Sequence, residues 1–529
     1  MTTIVVLPSG RTAPYTPSAT QAVEQASVVS PAPAAGGAVK LSPGGLAAAR
    51  LDAVPGLDPD ATPLLWESPA RDKVTSLIAR NFFEPSLAGR LHGLGSALLA
   101  RFYGDGTDAS QAARPPRNGA GLYSPVAAAA LGKPVVHGQG ENRIALTIAT
   151  TGGAQVSLTL DSGEDGLAVQ MKSTGTLNQA ARAALAKLAD AFQEAVDGIA
   201  QSPPQLKLGG LLQFDPTVLA SVDLHSVVKV ATEPATTQTL DLHADSARRK
   251  VSFNGAAGAV HVNVDMSQVA ALGNKAQQAR AVGSYLQQVD LAAARGHGDA
   301  SLVSMFKDAF AEMNSGYDAA SLPAADGVRT STLTLSGEDH ALLTGLADFD
   351  AGITQTSKAV NKMRPLEHDG FSYQVAQNTS IGGRSQGDRF IAQHQRSQLC
   401  ASYHMPAVPG GQLRLDGGPE DQNYDYYQLD DNASSDALMA YDQGRLKAAS
   451  LRQSATQATH VMKYAMGHLI SDRTTPVRRN LQRDLVEALA PDVKGAHPRS
   501  LDEILRRQQQ LQEVAGLVPL QAYGDGAGN

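Results

Sequence analysis

The sequence predicts an α+β fold made of antiparallel sheet modules, each followed by amphipathic helices in βββα units, behind a disordered N-terminal tail. Three observations carry this expectation. Residues 144–171 alternate apolar and polar side chains in three runs: Ile144, Leu146 and Ile148; Val156, Leu158 and Leu160; Leu167, Val169 and Met171. Glycine turns at Gly152-Gly153 and at Gly163–Gly166 separate the runs, and period-2 alternation broken by glycine marks half-buried antiparallel strands. Leu185, Leu188, Phe192, Val196 and Ile199 then recur at helical spacing until Pro203-Pro204 ends the stripe. The same order returns at 237–294. There Leu240 and Leu242, Val251 and Phe253, and Val260, Val262 and Val264 precede a helical face from Val269 to Val289, with Asn254-Gly255 as a turn signal. Antiparallel groups each followed by helices argue for α+β over a doubly wound sheet.

In chain order, residues 1–65 are rich in Ala, Pro, Ser, Thr and Gly, a composition that buries too little surface to offset chain entropy. They are expected to form a disordered tail, with a leaderless secretion signal or a partner-binding arm as the functional alternative. Order is expected from Trp66. Val74, Leu77 and Ile78 fit one short helix, and Leu87, Leu91, Leu94, Leu98 and Phe102 a second, so 66–140 reads as a helical pair and a flexible linker. Residues 141–318 hold the two βββα units, with a helical turn near Phe214–Leu219 between them. Thr176 and Gln179 form a capping box for the first helix, and Leu302, Phe306, Phe310 and Met313 mark a further helix. Residues 328–529 read as a β-rich and then helical C-terminal domain. In it Ser336 caps a helix carrying Leu342, Leu343, Leu346, Phe349 and Ile353, and alternation returns from Phe371 to Leu415. Residues 444–470 fit helix and strand equally. Leu481, Leu485 and Leu489 form a helical stripe, and Ser500 and Glu503 a second capping box.

At 529 residues the chain is long enough for roughly two to four domains. Its net charge of −7 divides into +3 over residues 441–529, with 12 Lys/Arg against 9 Asp/Glu, and −10 over the rest. Neither half carries the dense basic face of a nucleic-acid binder. Cys400 is the single cysteine, which excludes an internal disulfide framework and a thiolate metal cluster. No apolar run reaches the roughly eighteen residues of a spanning helix. The N-terminus lacks a basic region followed by a long apolar one, so no cleaved signal peptide is expected. The cytoplasm and leaderless secretion are both compatible with these features, which suit a bacterial protein.

Two segments carry candidate chemistry. Gly383-Arg384-Ser385-Gln386-Gly387 fits G-x-S-x-G, the nucleophile turn of α/β-hydrolases. Asp431 or Asp436, then His460 or His468, follow in the hydrolase order, and His137-Gly138-Gln139-Gly140 resembles an oxyanion loop. Residues after Gly387 alternate as a strand where that turn requires a helix, so a glycine-rich hairpin accounts for the motif better. Cys400 with His394 or His404 is the other nucleophile pair; on one strand Cys400 and His404 would stand about 13 Å apart, and an inert, buried cysteine is expected. Nucleotide, dinucleotide and zinc-protease motifs are absent.

The second segment is 416–442, with eight acids and no lysine or arginine. Asp421, Asn423 and Asp425 form D-x-N-x-D, with Asp430 and Asp431 beyond, the kind of oxygen ligands that calcium takes. Tyr426 and Asn432 stand where an EF-hand needs glycine and glutamate, so a solvated acidic loop is the expectation, and Tyr424, Tyr426 and Tyr427 add an aromatic contact surface. No cofactor is expected, with calcium as the one alternative. The favoured reading is a non-catalytic protein that binds a protein partner. A serine hydrolase centred on Ser385, with Asp431 and His460, is the alternative, and a calcium-dependent surface or assembly protein is the third reading.

Overall fold

The computed structural model describes residues 64–68, 72–104, 108–115, 137–138, 140–164, 166–230, 235–317 and 333–489. The proposed tail up to residue 63 and the capping box at Ser500 lie outside them. Fifteen strands form one antiparallel sheet: β1 (Leu65–Trp66), β2 (Ala109–Arg114), β3 (Asn142–Thr150), β4 (Gln155–Gly163), β5 (Gly166–Thr174), β6 (Leu219–Val230), β7 (Thr236–Asp245), β8 (Arg248–Gly255), β9 (Gly258–Asp265), β10 (Asp348–Gln355), β11 (Gly370–Gly382), β12 (Phe390–Pro406), β13 (Tyr424–Asp442), β14 (Arg445–Ala465) and β15 (His468–Asp484). Their spatial order is β1-β2-β5-β4-β3 and then β6 to β15 in sequence.

The register explains how one sheet serves two environments. Directly paired residues share a face. One row therefore runs Met171, Leu158, Leu146, Leu224, Leu242, Val251, Val262, Ala351, Val375, Ser397, Ala433, Ala455 and Arg479. Its side chains pass from large and apolar, through alanine and serine, to arginine. Helices cover the apolar part. Five of them, α1 (Lys73–Asn81), α2 (Leu87–Leu91), α3 (Leu94–Ala100), α4 (Gln179–Lys187) and α5 (Ala189–Ile199), pack at the β3–β5 end; α6 (Lys275–Gly296) lies on β11 and β12, and α7 (Ala300–Met313) on β8 to β10. Asp299 caps α7 by accepting from the Leu302 amide, and Leu302, Phe306, Phe310 and Met313 bury one face of it. Each phenylalanine so buried contributes about 1.5–3 kcal/mol. Two short helices, α8 (Gly337–Ala341) and α9 (Val486–Leu489), complete the described α-helices. None of the described helices is long and apolar enough to cross a membrane.

The expectation of βββα modules is corrected by this architecture. Among the described residues strand makes up 45% and helix 27%, and one sheet replaces repeated units. The expected triplets β3–β5 and β7–β9 are present, but each has its edge taken up by a neighbour. β6 pairs with β3 from Val227 to Leu219 and also with β7, while β10 pairs with β9 along all of its length. Alternation encodes which face a residue occupies, not which strand lies beside it. β6 itself starts at Leu219, where the expected helical turn ends, and fills a stretch for which no element was expected; buried Ser226 interrupts its apolar alternation.

Three local expectations also change. Asn178, not Thr176, caps the first helix after β5, accepting from the Ala181 amide. The helix expected through Ile353 ends at Ala341, and β10 starts at Asp348. Between them buried glutamines replace helical hydrogen bonding: the Gln377 amide donates to the carbonyls of Leu346 and Ala347, and Gln393 accepts from the Thr344 amide. Residues 445–484 form β14 and β15, so Leu481 belongs to a strand.

Candidate partner-binding edge

The structure sets the hydrolase candidates apart. Ser385 lies in the β11–β12 connection, where its hydroxyl donates to Asp388 at 2.9 Å. Gly383 there has φ +145°, and a Cβ on it would fall 2.6 Å from the Asp388 carbonyl oxygen. The Gly387 carbonyl accepts from the Gly444 amide at 2.9 Å. Two glycines of the motif are therefore explained by close backbone packing in a hairpin. Asp431 sits nine residues along β13 from Ala440, the partner of Phe390 at the hairpin end, or about 30 Å away. His460 projects from the opposite face to Asp431 and bonds Gln428 and Asp472 at 2.8 and 2.7 Å. Asp436 holds His394 at 2.6 Å, His468 begins β15, and His137 bonds Glu67 and Ser110 at the far end of the sheet.

The calcium candidates are likewise distributed. Asp425 pairs with Lys463 at 2.9 Å. Asp431 receives both Arg295 Nε and Arg295 Nη2, at 2.5 and 3.0 Å. Asp430 accepts from the Asn432 amide, Asn423 accepts from the Met466 amide, and Asp421 stands 3.9 Å from Arg414. Asp425 and Asp431 are six residues apart on β13, about 20 Å. The described residues contain no group of three or more His, Cys, Asp or Glu arranged to hold a metal ion. Most of the acidic segment is strand rather than the expected loop, and basic groups from α6 and β14 meet its buried carboxylates.

Cys400 shares one face of β12 with His394 and His404, as the strand reading requires; it is exposed rather than buried, whereas residues 361–369 cover His404. Partial desolvation of its thiol, with Asp430 and Asp431 nearby, raises its pKa and works against a thiolate. His404 belongs to a network that no local motif signals. Its Nδ1 lies 2.6 Å from Asp369 and its Nε2 3.1 Å from Glu367, and the Tyr424 hydroxyl donates to Glu367 at 2.7 Å. Asn361 donates to Tyr424 and Gln422. Burial, then the Glu367 bond, pushes the Tyr424 phenol well up. The His404 side chain is 0% exposed, so this cluster fastens residues 361–369 to β12 and β13 and does not present a reactive group. Other histidines form cross-strand pairs on the solvent face: His225 with Asp241 and His243 with Asp223, both at 2.6 Å. Exposed pairs of this kind contribute little to stability.

The strongest interaction feature is β15. Thr474, Thr475 and Val477 suit a strand, and Pro476 suits the edge of one, because proline cannot donate to a ladder. β14 pairs with it from Ser450–Asp484 to Ala465–His468, and no described residue pairs with its other side. Arg473, Arg479 and Arg483 stand opposite Val461, Ala455 and Leu451 on the helix-side face, with Val477 and Leu481 between them; Arg478 occupies the other face. Nearly all of the strand is solvent-exposed, including Val477 at 44%. Arginine ion pairs among the described residues involve Arg101, Arg143, Arg295, Arg389, Arg396 and Arg414, and none involves Arg473, Arg478 or Arg479. A backbone edge flanked by guanidinium groups can accept an extended segment through main-chain bonds while its carboxylates meet the arginines. The sequence carried this signal in Thr474–Arg479, but reading 444–470 as ambiguous and the following stretch as helical obscured it. Comparison with family models, curated proteins and solved structures finds no match to this chain.

Proposed function

We propose that the chain is a non-catalytic binding protein that takes up an acidic, extended protein segment along β15. The observation that carries this reading is a 17-residue edge strand with Arg473, Arg478 and Arg479 free of carboxylate partners among the described residues. Charge selects the partner. Antiparallel pairing of β15 with a second copy centred on Pro476 would place Arg473 opposite Arg479, and a half-step shift would place it opposite Arg478. Like charges directly opposite each other are destabilising, and proline with charged residues is a common guard against edge-to-edge association. A strand bearing Asp or Glu at alternate positions relieves this repulsion.

Fluorescence anisotropy tests the reading with a labelled peptide alternating Glu with Val and Thr, and a counterpart with Lys for Glu. The acidic peptide should bind saturably, more weakly as salt rises, and roughly tenfold more weakly to the variant with Arg473→Glu and Arg479→Glu. Equal binding of both peptides, or an unchanged affinity in the variant, would sink the proposal.

A further inference from the structure

A cleft of about 770 Å³ opens on the helix-side face where β4, β6, β7 and β8 end, between α2, the 200–204 loop and the start of α7. Leu87, Val228, Phe253, Leu302 and Met305 give it mainly apolar walls. Among the polar groups in its lining, two are buried without a hydrogen-bond partner. The Ser162 hydroxyl, in a residue 1% exposed, has no hydrogen-bond partner, and neither has the buried Nε of Arg90. Arg90 Nη2 donates to the Gly166 carbonyl at 3.1 Å. Because Gly163 pairs with Gly166 across the β4–β5 turn, Arg90 and Ser162 meet at the same end of the cleft. Two polar neighbours are already engaged: Lys229 with Glu141 at 2.5 Å, and the Asn142 side chain, which donates to the Ser162 carbonyl and accepts from the Lys229 amide.

Buried donors are nearly always satisfied in folded proteins, and an unpaired one at the end of an apolar cleft marks a place for an acceptor. Among the described residues no carboxylate lies within ion-pairing distance of Arg90, and burial lowers the pKa of its guanidinium. We propose that this cleft binds a monocarboxylate with an apolar chain, its carboxylate on Arg90 and Ser162 and its chain along Val228, Phe253, Leu302 and Met305. A guanidinium N–H and a hydroxyl both donate, and the planar guanidinium fork fits a carboxylate. The volume lies within the range of small-molecule sites. This site is separate from the β15 edge and does not depend on it.

Calorimetric titration with dodecanoate, dodecanol and butyrate, all below their aggregation concentrations, tests the assignment. Dodecanoate should bind saturably, dodecanol at least about tenfold more weakly, and butyrate not measurably. Arg90→Met should remove the preference for dodecanoate over dodecanol. Ser162→Ala, a smaller change suited to the case in which Arg90→Met does not fold, should reduce that preference severalfold. Ala257→Trp at the cleft rim should weaken both long-chain ligands, and the β15 double variant should bind dodecanoate as the parent chain does. Absence of saturable dodecanoate binding, equal binding of the acid and the alcohol, or a preference unchanged by Arg90→Met or Ser162→Ala would overturn the proposal.

Discussion

Replacing Arg295 with alanine should expose how the acidic strand β13 is tolerated. Arg295, in the last turn of α6, forms two bonds to Asp431 and a third to Thr459 Oγ1 at 3.0 Å. The two side chains are 23% and 12% exposed. Their separation from solvent makes this pair stronger than a surface ion pair, and losing one member of a buried pair costs about 3–5 kcal/mol. Partial exposure lowers the expectation for Arg295→Ala to about 2–3 kcal/mol, because Asp431 keeps the Gln457 amide at 3.5 Å and some water. Asp431→Leu alone should cost about 1–2 kcal/mol by stranding the guanidinium. Arg295→Met combined with Asp431→Leu removes both charges and should return to within about 1 kcal/mol of the parent chain. Urea denaturation followed by circular dichroism measures all three, since urea does not screen charge. With Arg295→Met as the single variant that closes the cycle, at a cost similar to that of Arg295→Ala, the coupling between the sites should therefore be about 2–5 kcal/mol. Additive effects, with each single variant below about 0.5 kcal/mol, would refute the view that α6 neutralises the strand.

Other perturbations separate structural from chemical roles. His404→Ala should destabilise the fold by about 3 kcal/mol by leaving Glu367 and Asp369 facing each other, and should admit protease to residues 361–369. Ser385→Ala should alter stability by no more than about 0.5 kcal/mol, and a fluorophosphonate probe should leave Ser385 unlabelled. Burial raises the Glu312 carboxyl from 4.5 to about 7. The folded chain then holds a proton that the unfolded chain releases earlier, so stability falls as pH rises between those values. Glu312→Gln should flatten that slope by about 1–2 kcal/mol, after allowance for partial exposure, in urea titrations at successive pH values. Millimolar Ca²⁺ at fixed ionic strength should leave the melting temperature unchanged; a saturable rise abolished by Asp421→Ala with Asp425→Ala would contradict the placement of those residues.

Much of the β-structure was legible because alternation reports a face directly. Leu146, Leu158 and Val251 could be assigned to a buried face before any pairing was known. The union of β3 with β6 and of β9 with β10 was not legible, because backbone pairing between distant segments leaves no periodic trace. Gln377 and Gln393 show a second limit. Their side chains hold residues 344–347 out of a helix that Leu342, Leu343 and Leu346 would otherwise suggest. At the candidate sites, the glycines around Ser385 were legible as a turn, whereas the carboxylates of 416–442 could not be matched with Arg295 or Lys463 from spacing alone. The β15 edge was present in the composition of Thr474–Arg479, but its significance depends on being last in the sheet, a property of the whole topology.

Amide hydrogen exchange across residues 468–484, with and without a saturating acidic peptide, tests the central claim most directly. In an antiparallel edge strand alternate N–H groups bond the inner neighbour and the others face outward. The account predicts that the peptide slows exchange at the outward-facing amides of β15, Pro476 excepted, and leaves those bonded to β14 nearly unchanged. Unaltered exchange throughout 468–484 at saturation, or protection confined to another part of the sheet, would contradict it.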